Sequence, residues 1–160
     1  MRYPITGSIK GVVNAIDEHD VLWLYVAYRP AYQELVQVVS STNRDDHKQL
    51  LRVDLSHVSP QETGARNPRF QEWFRKKVAH DLKQKLLGKD VTVHFEVVGG
   101  DAGRLRGMVF EGEDNVNLWM VLNGLSYYVI GDGDNSYDKL FRQAEDIARR
   151  DKAGIWEYIR

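Results

Sequence analysis

The chain has no cysteine among its 160 residues. Disulfide bonds, thiol catalysis and zinc sites built from cysteine are therefore excluded. It also lacks an excess of either charge, because 22 basic and 23 acidic residues give a formal net charge of -1. Such a chain has no overall attraction to polyanions, so a nucleic-acid site would have to be a local basic patch.

Long apolar runs are also missing. No stretch approaches membrane-spanning length, and the first residues, MRYPITGSIKG, lack the apolar run of a signal peptide. We therefore expect a cytoplasmic protein with no membrane partner. The length suits a single domain over residues 1–160. The five histidines show no metal-ligand spacing, which argues against a histidine zinc site.

The sequence pattern predicts strands in the first half of the chain. SIKGVVNAI and DVLWLYVAY flank an acidic stretch over residues 17–20, which predicts a β-hairpin whose turn is either solvated or able to bind a hard cation. A short strand is predicted over residues 34–39, and another begins at Leu50. On that second strand Arg52 and Asp54 share one face, where they would pair with each other or present opposite charges to a metal and a phosphate.

A helix is predicted from Pro68 to about Leu87, with Asn67 as its N-cap and Gly88 as its stop. Its apolar positions recur every fourth residue, with Trp73 alongside, and we interpret them as core: Phe70, Phe74, Val78, Leu82 and Leu86. The opposite face is basic and includes Lys76 and Lys77. That face is either solvated or part of a nucleic-acid footprint.

After an alternating strand over residues 89–98, a glycine-rich turn leads to a strand that carries Arg104 and Arg106. These arginines leave the same strand face and could together hold one anion such as a phosphodiester, or be solvated charges. A last helix is predicted from about Tyr137, capped by Asn135 or Ser136. Its buried stripe would be Leu140, Ala144, Ile147 and Ala148, with Trp156 anchoring the end.

Several short motifs follow one another in a recognisable order. They are Gly103-Arg104, Val116-Asn117, Gly124-Leu125, the AEDIAR segment, and Gly154-Ile155-Trp156. In these motifs the sequence resembles the staphylococcal nuclease-like (thermonuclease) family, from VNAID to GIW. The resemblance implies an α+β fold, a five-stranded OB-fold-type β-barrel with about three packed helices.

The resemblance also implies calcium-dependent hydrolysis of phosphodiester bonds in DNA or RNA. In that family two aspartates hold Ca²⁺, two arginines bind the phosphate and a glutamate prepares the water. Arg104 matches the arginine of the GR motif. Asp54 matches the second aspartate when VDLSHV is aligned with the family's VDTPE, and Asp20 matches the first if one residue is inserted.

The other functional positions depart from the family pattern. Gln49 stands at the position of the first arginine, and His57 stands at that of the glutamate. Arg52 on the same strand and Glu62 in the following loop are the candidate replacements. In an alternative register, residues 35–43 would be the family's third strand, and no carboxylate would survive there.

Three functions follow from these residues. The first is binding of single-stranded DNA or RNA through Arg104, Arg106, Lys76 and Lys77, with weak or lost phosphodiesterase activity. The second is an active calcium-dependent nuclease using Asp20, Asp54, Glu62, Arg52 and Arg104. The third is a protein-interaction module that binds its partner through residues 29–48. The sequence leaves open whether the protein is an enzyme.

Overall fold

A computed structural model describes residues 5–59, 67–131 and 135–158. The strands are β1 (Thr6–Ile16), β2 (Leu22–Tyr25), β3 (Arg44–Asp45), β4 (Leu50–Leu55), β5 (Asp90–Val98), β6 (Arg104–Glu111) and β7 (Asp114–Asn115). The helices are α1 (Arg29–Val36), α2 (Pro68–Leu86), α3 (Val116–Leu122) and α4 (Asp138–Arg150). No helix within these residues is long and apolar enough to cross a membrane.

The five longer strands close into a barrel. Strand order is β3-β4-β2-β1-β5-β6-β7, and a parallel pairing between β4 and β6 joins the two sides of the sheet. The remaining pairings are antiparallel. The predicted α+β fold with a five-stranded OB-fold-type barrel is confirmed, although the described residues form four α-helices where we expected about three.

The additional helix is α1, and it corrects the strand predicted over residues 34–39. Pro30 stands in its first turn, where a missing backbone N–H costs nothing. Tyr32 and Leu35, three residues apart, are buried on one helix face. The register in which residues 35–43 are the third barrel strand is therefore wrong, since β4 is the strand that pairs with β2.

Helix α2 begins and ends as predicted. The side chain of Asn67 accepts a hydrogen bond from the backbone N–H of Arg69, and Gly88 follows the helix with φ of 76°. The buried positions are Phe74, Val78, Leu82 and Leu86. The prediction that the aromatic residues are core is wrong for Trp73, which is 47% exposed beside a half-buried Phe70.

Helix α4 differs from prediction in two ways. Residues 135–137 form a 3-10 turn, and Tyr137 precedes the helix without a side-chain cap, so neither Asn135 nor Ser136 is the cap. The buried stripe is rotated relative to the predicted one, because Phe141 is buried while Leu140 and Ile147 are exposed. The buried residues of the helix are Phe141, Ala144 and Ala148.

The family motifs after β6 lie together in space. Asn117 is fully buried, and its side chain donates to the carbonyls of Ser56 and Gly107 and accepts from the N–H of Val109. Gly124 and Gly154 are in close backbone contact, since a Cβ on Gly154 would lie 2.3 Å from the Gly124 carbonyl oxygen. These motifs therefore hold α3, the end of β4 and the C-terminal turn to the barrel.

Candidate functional site

Three predicted site residues meet where β4 and β6 run side by side. The pairing aligns Val53 with Leu105 and Asp54 with Arg106. Asp54 accepts from Arg52 Nε through Oδ1 at 3.1 Å and from Arg104 Nε through Oδ2 at 2.5 Å. Both oxygens of this carboxylate are thus engaged by guanidinium groups, in a setting where the Asp54 side chain is 19% exposed.

A second ion pair extends this surface onto β5. Arg106 Nη2 donates to Glu96 Oε1 at 2.7 Å, and the two residues are cross-strand neighbours. We call the outward side of these three strands the arginine face, formed by Arg52, Asp54, Glu96, Arg104 and Arg106. With three guanidinium groups and two carboxylates it is locally positive, although the whole chain is nearly neutral.

The turn before Arg104 is held from outside by the segment that follows α1. Asn43, 6% exposed, donates from Nδ2 to the carbonyls of Ala102 and Gly103, each at 3.1 Å. The backbone N–H of Ser40 also donates to the Gly103 carbonyl. A Cβ on Gly103 would lie 2.0 Å from the Val38 carbonyl oxygen, so only glycine fits there. Sequence reasoning missed this support, because nothing in the polar stretch SSTN marks a partner 60 residues away.

Residues 29–48, the predicted protein-docking surface, pack on the barrel through their inner side. The Tyr32 hydroxyl donates to Asp46 at 2.7 Å, and Arg44 Nε donates to the same oxygen. Burial and this hydrogen bond raise the pKa of Tyr32, while the hydrogen bonds from Tyr32 and Arg44 lower the pKa of Asp46. The outer side borders a cavity of about 460 Å³, partly lined by Arg29, Gln33 and Gln37. Protein docking there stays a prediction.

Gln49 and His57, which the sequence resemblance aligns with a family arginine and glutamate, make structural contacts. Gln49 has a positive φ of 55° and donates from Nε2 to the Val26 carbonyl at 2.8 Å. His57 is fully buried, with its ring 5.7 Å from that of Tyr128 and 5.5 Å from that of Phe141. Its Nδ1 lies 2.9 Å from the Val129 carbonyl oxygen. His57 is thus a core side chain.

The described side chains do not by themselves fit a calcium ion. Calcium takes six to eight oxygen ligands, and no group of three or more His, Asp or Glu side chains in the described part of the chain is arranged to hold a metal. Asp20 is buried in the β1–β2 turn, two residues before Leu22, and both Asp54 oxygens accept from arginines. Glu62 lies outside the described residues. Calcium binding stays a prediction.

Lys76 and Lys77 lie on α2 and not on the arginine face. Lys76 is within 3.4 Å of Glu72, and Lys77 is within 2.9 Å of Asp81, each partner four residues away on the same helix. Such exposed pairs typify a solvated helix surface. A contribution of the two lysines to nucleic-acid binding stays a prediction.

A cavity of about 550 Å³ adjoins the Arg106 end of the arginine face. Its lining combines charged groups, hydroxyls and aromatic side chains, among them Thr6, Ser56, His94, Glu96, Arg106 and Tyr137. This volume lies in the range of small-molecule sites.

Fold and site together define a small barrel domain with three arginines on one strand face. Residues 52–158 match the family described as Staphylococcal nuclease homologue. Because this match covers more than half of the chain, the chain belongs to that family. The matched range begins on β4, and the preceding β1 and β2 complete the barrel. No curated protein matches the chain.

Proposed function

We propose that this domain binds single-stranded DNA or RNA through its arginine face and cleaves it weakly or not at all. The observation that carries the proposal is the convergence of Arg52 and Arg104 on the two oxygens of Asp54. This arrangement holds two guanidinium groups side by side on neighbouring strands. It is suited to an anion whose oxygens are spaced like those of a phosphodiester.

Phosphate binding would use the donors that Asp54 does not engage. Each guanidinium is held to the aspartate through Nε, and its terminal N–H groups are the donors that would reach phosphate oxygens. Asp54 then has two opposing effects, since it orients both arginines and also cancels part of their charge. Arg106, tied to Glu96, adds a further positive group to the same face.

Weak cleavage follows from the surroundings of His57. Hydrolysis in this family depends on a carboxylate that prepares the attacking water. Here the corresponding residue is a buried histidine between Tyr128 and Phe141. An active calcium-dependent nuclease is the alternative proposal, and it requires Glu62 to supply that carboxylate from the loop after β4.

Binding is tested by measuring the affinity of a labelled single-stranded oligonucleotide over a range of salt concentrations. Arg104→Ala should weaken binding and reduce the salt slope by about one unit, as for one lost phosphate contact. Asp54→Asn should strengthen binding in metal-free buffer, since both arginines are released. Asp151→Asn, which makes the same charge change beside Arg150, is the matched control and should leave the affinity nearly unchanged.

Cleavage is tested with single-stranded DNA and RNA in calcium or manganese. Product formation that disappears in both Asp54→Asn and Glu62→Gln would establish the active nuclease and contradict weak or absent cleavage. Absence of binding at low salt would contradict the proposed function itself. The function as a protein-interaction module would then be favoured.

A further inference from the structure

Strand β2 places aromatic side chains directly beside the arginine face. The β2–β4 pairing sets Trp23 opposite Arg52, and directly paired residues project from the same side of a sheet. Tyr25, 40% exposed, lies two residues further along β2 and therefore on the same side. Adjacent strands are about 4.8 Å apart, so Trp23 is one strand from Arg52 and two from Arg104.

We infer that Trp23, assisted by Tyr25, is a stacking platform for the bases of a single strand whose phosphates lie on Arg52 and Arg104. The inference rests on the proposed function. It adds that β2 contacts the bases of the bound strand, whereas the arginines contact its phosphates. Aromatic side chains beside a basic groove bind single strands without strong sequence preference, because every base offers a face to stack on.

The packing of the tryptophans supports this role for Trp23. Trp119 and Trp156 pack against the hydrophobic core, whereas Trp23 is not among the described side chains that do so. On its other side Trp23 pairs with Ala15, a residue with a short side chain. Trp23 is thus a partly buried aromatic residue whose cross-strand neighbours are Ala15 and Arg52.

The turn before β2 tethers the indole ring by its edge. Trp23 Nε1 lies 3.5 Å from Asp17 Oδ2, while Asp17 Oδ1 accepts from the backbone N–H groups of His19 and Val21. A tethered ring loses little side-chain entropy when a base stacks on it.

Charge gives the bound strand an orientation across the sheet. Strand β2 (Leu22–Tyr25) carries no basic residue, and the turn before it is acidic, with Asp17, Asp20 and a largely exposed Glu18. The arginines attract phosphates on β4 and β6. The sugar-phosphate backbone would therefore follow the arginine strands, with the bases directed toward β2. A duplex could not bind this way, since its bases stack on each other.

The test compares three variants and two ligands. Trp23→Leu should weaken binding of a short oligothymidylate about tenfold with an unchanged salt slope. Trp23→Phe, which keeps a ring, should restore most of the affinity. Trp73→Leu is the matched control, a half-exposed tryptophan on α2, and should bind like the unmodified protein. For an abasic oligomer of the same length, Trp23→Leu should make no difference.

Thermal unfolding of each variant verifies that it folds. If Trp23→Leu folds and binds oligothymidylate as tightly as the unmodified protein while Arg104→Ala binds more weakly, the stacking platform is wrong and the proposed function stands. An equal loss for the abasic oligomer would also overturn stacking. If the unmodified protein binds neither ligand, the proposed function and this inference fail together.

Discussion

Asp54 and His57 are three residues apart in the chain but lie in opposite surroundings. Asp54 is on the outer barrel face, between two arginines and partly open to solvent. His57 is fully buried, between two aromatic rings and against a backbone carbonyl. The difference shows that closeness in sequence does not put two residues in one site, because β4 keeps Asp54 on the surface and the turn after it carries His57 into the core.

The largest effect is expected from His57→Glu, which places a carboxylate at the buried position. A carboxylate between the rings of Tyr128 and Phe141 would lose its hydration, and we expect a loss of about 3–5 kcal/mol in the free energy of unfolding. His47→Glu makes the same replacement at an exposed position and should change stability by less than about 0.5 kcal/mol. Urea unfolding measures both. If His57→Glu were as stable as His47→Glu and cleaved DNA with calcium, the interpretation of position 57 as a core position would be wrong.

The support beneath Arg104 is tested by Gly103→Ala. Its new methyl group would collide with the Val38 carbonyl, and we expect a loss of about 2–3 kcal/mol in the free energy of unfolding together with weaker oligonucleotide binding. Gly100→Ala in the same turn meets no atom within 4 Å and has only its positive φ of 57° to overcome, at a cost of about 1 kcal/mol. Equal losses in the two variants would show that the contact with residues 38–43 is unimportant.

Glu96→Gln tests how the carboxylates of the arginine face affect binding. Removing the carboxylate charge beside Arg106 should raise affinity for single-stranded DNA by a few fold, a smaller gain than that from Asp54→Asn because Glu96 pairs with one guanidinium of this face and Asp54 with two. Glu113→Gln is the control, since it makes the same charge change in the turn between β6 and β7. An equal gain from Glu113→Gln would mean that net charge, and not this face, governs binding.

The smallest expected effect concerns acid stability near His57. Asp138 accepts hydrogen bonds from Tyr128 and Arg142, which lower its pKa below the ordinary value of 3.8. Burial first, and then the hydrogen bond to Asp138, raise the pKa of Tyr128 to about 12. The carboxylate therefore stabilises the fold above pH 3.8, and this contribution is lost as the pH falls through its lowered pKa. Asp138→Asn should be less stable at neutral pH, with the difference shrinking in acid. Urea unfolding midpoints of both proteins across this pH range measure the difference in stability. A difference that is constant with pH would contradict the stabilising role of the Asp138 carboxylate.

Much of the fold could be predicted because the signals are local. The Asn67-Pro68 start of α2, its four-residue apolar period and the alternation along β5 all reflect hydrogen bonding and burial within one element. Helix α1 was misread because Val36, Val38 and Val39 favour strands locally, whereas the burial of Tyr32 and Leu35 against the barrel favours a helix.

The candidate site could be predicted only as a set of residue types. Arg52 and Asp54 share a strand, and their spacing alone put them on one face. Their meeting with Arg104 depends on the parallel β4–β6 pairing between segments about 50 residues apart, which no local pattern encodes. The burial of His57 likewise depends on Tyr128 and Phe141, which reach it from distant parts of the chain.

By itself, the sequence determined the family, the strand alternation, the helix boundaries of α2 and the presence of arginines at two-residue spacing. The tertiary structure decided which charges meet, because barrel closure brings β4 beside β6 and sets two guanidinium groups on one carboxylate. It also decided which side chains are buried, because packing of α4 against the loop after β4 covers His57. Local patterns arise from backbone geometry, whereas a site arises from contacts that form only when the whole barrel closes.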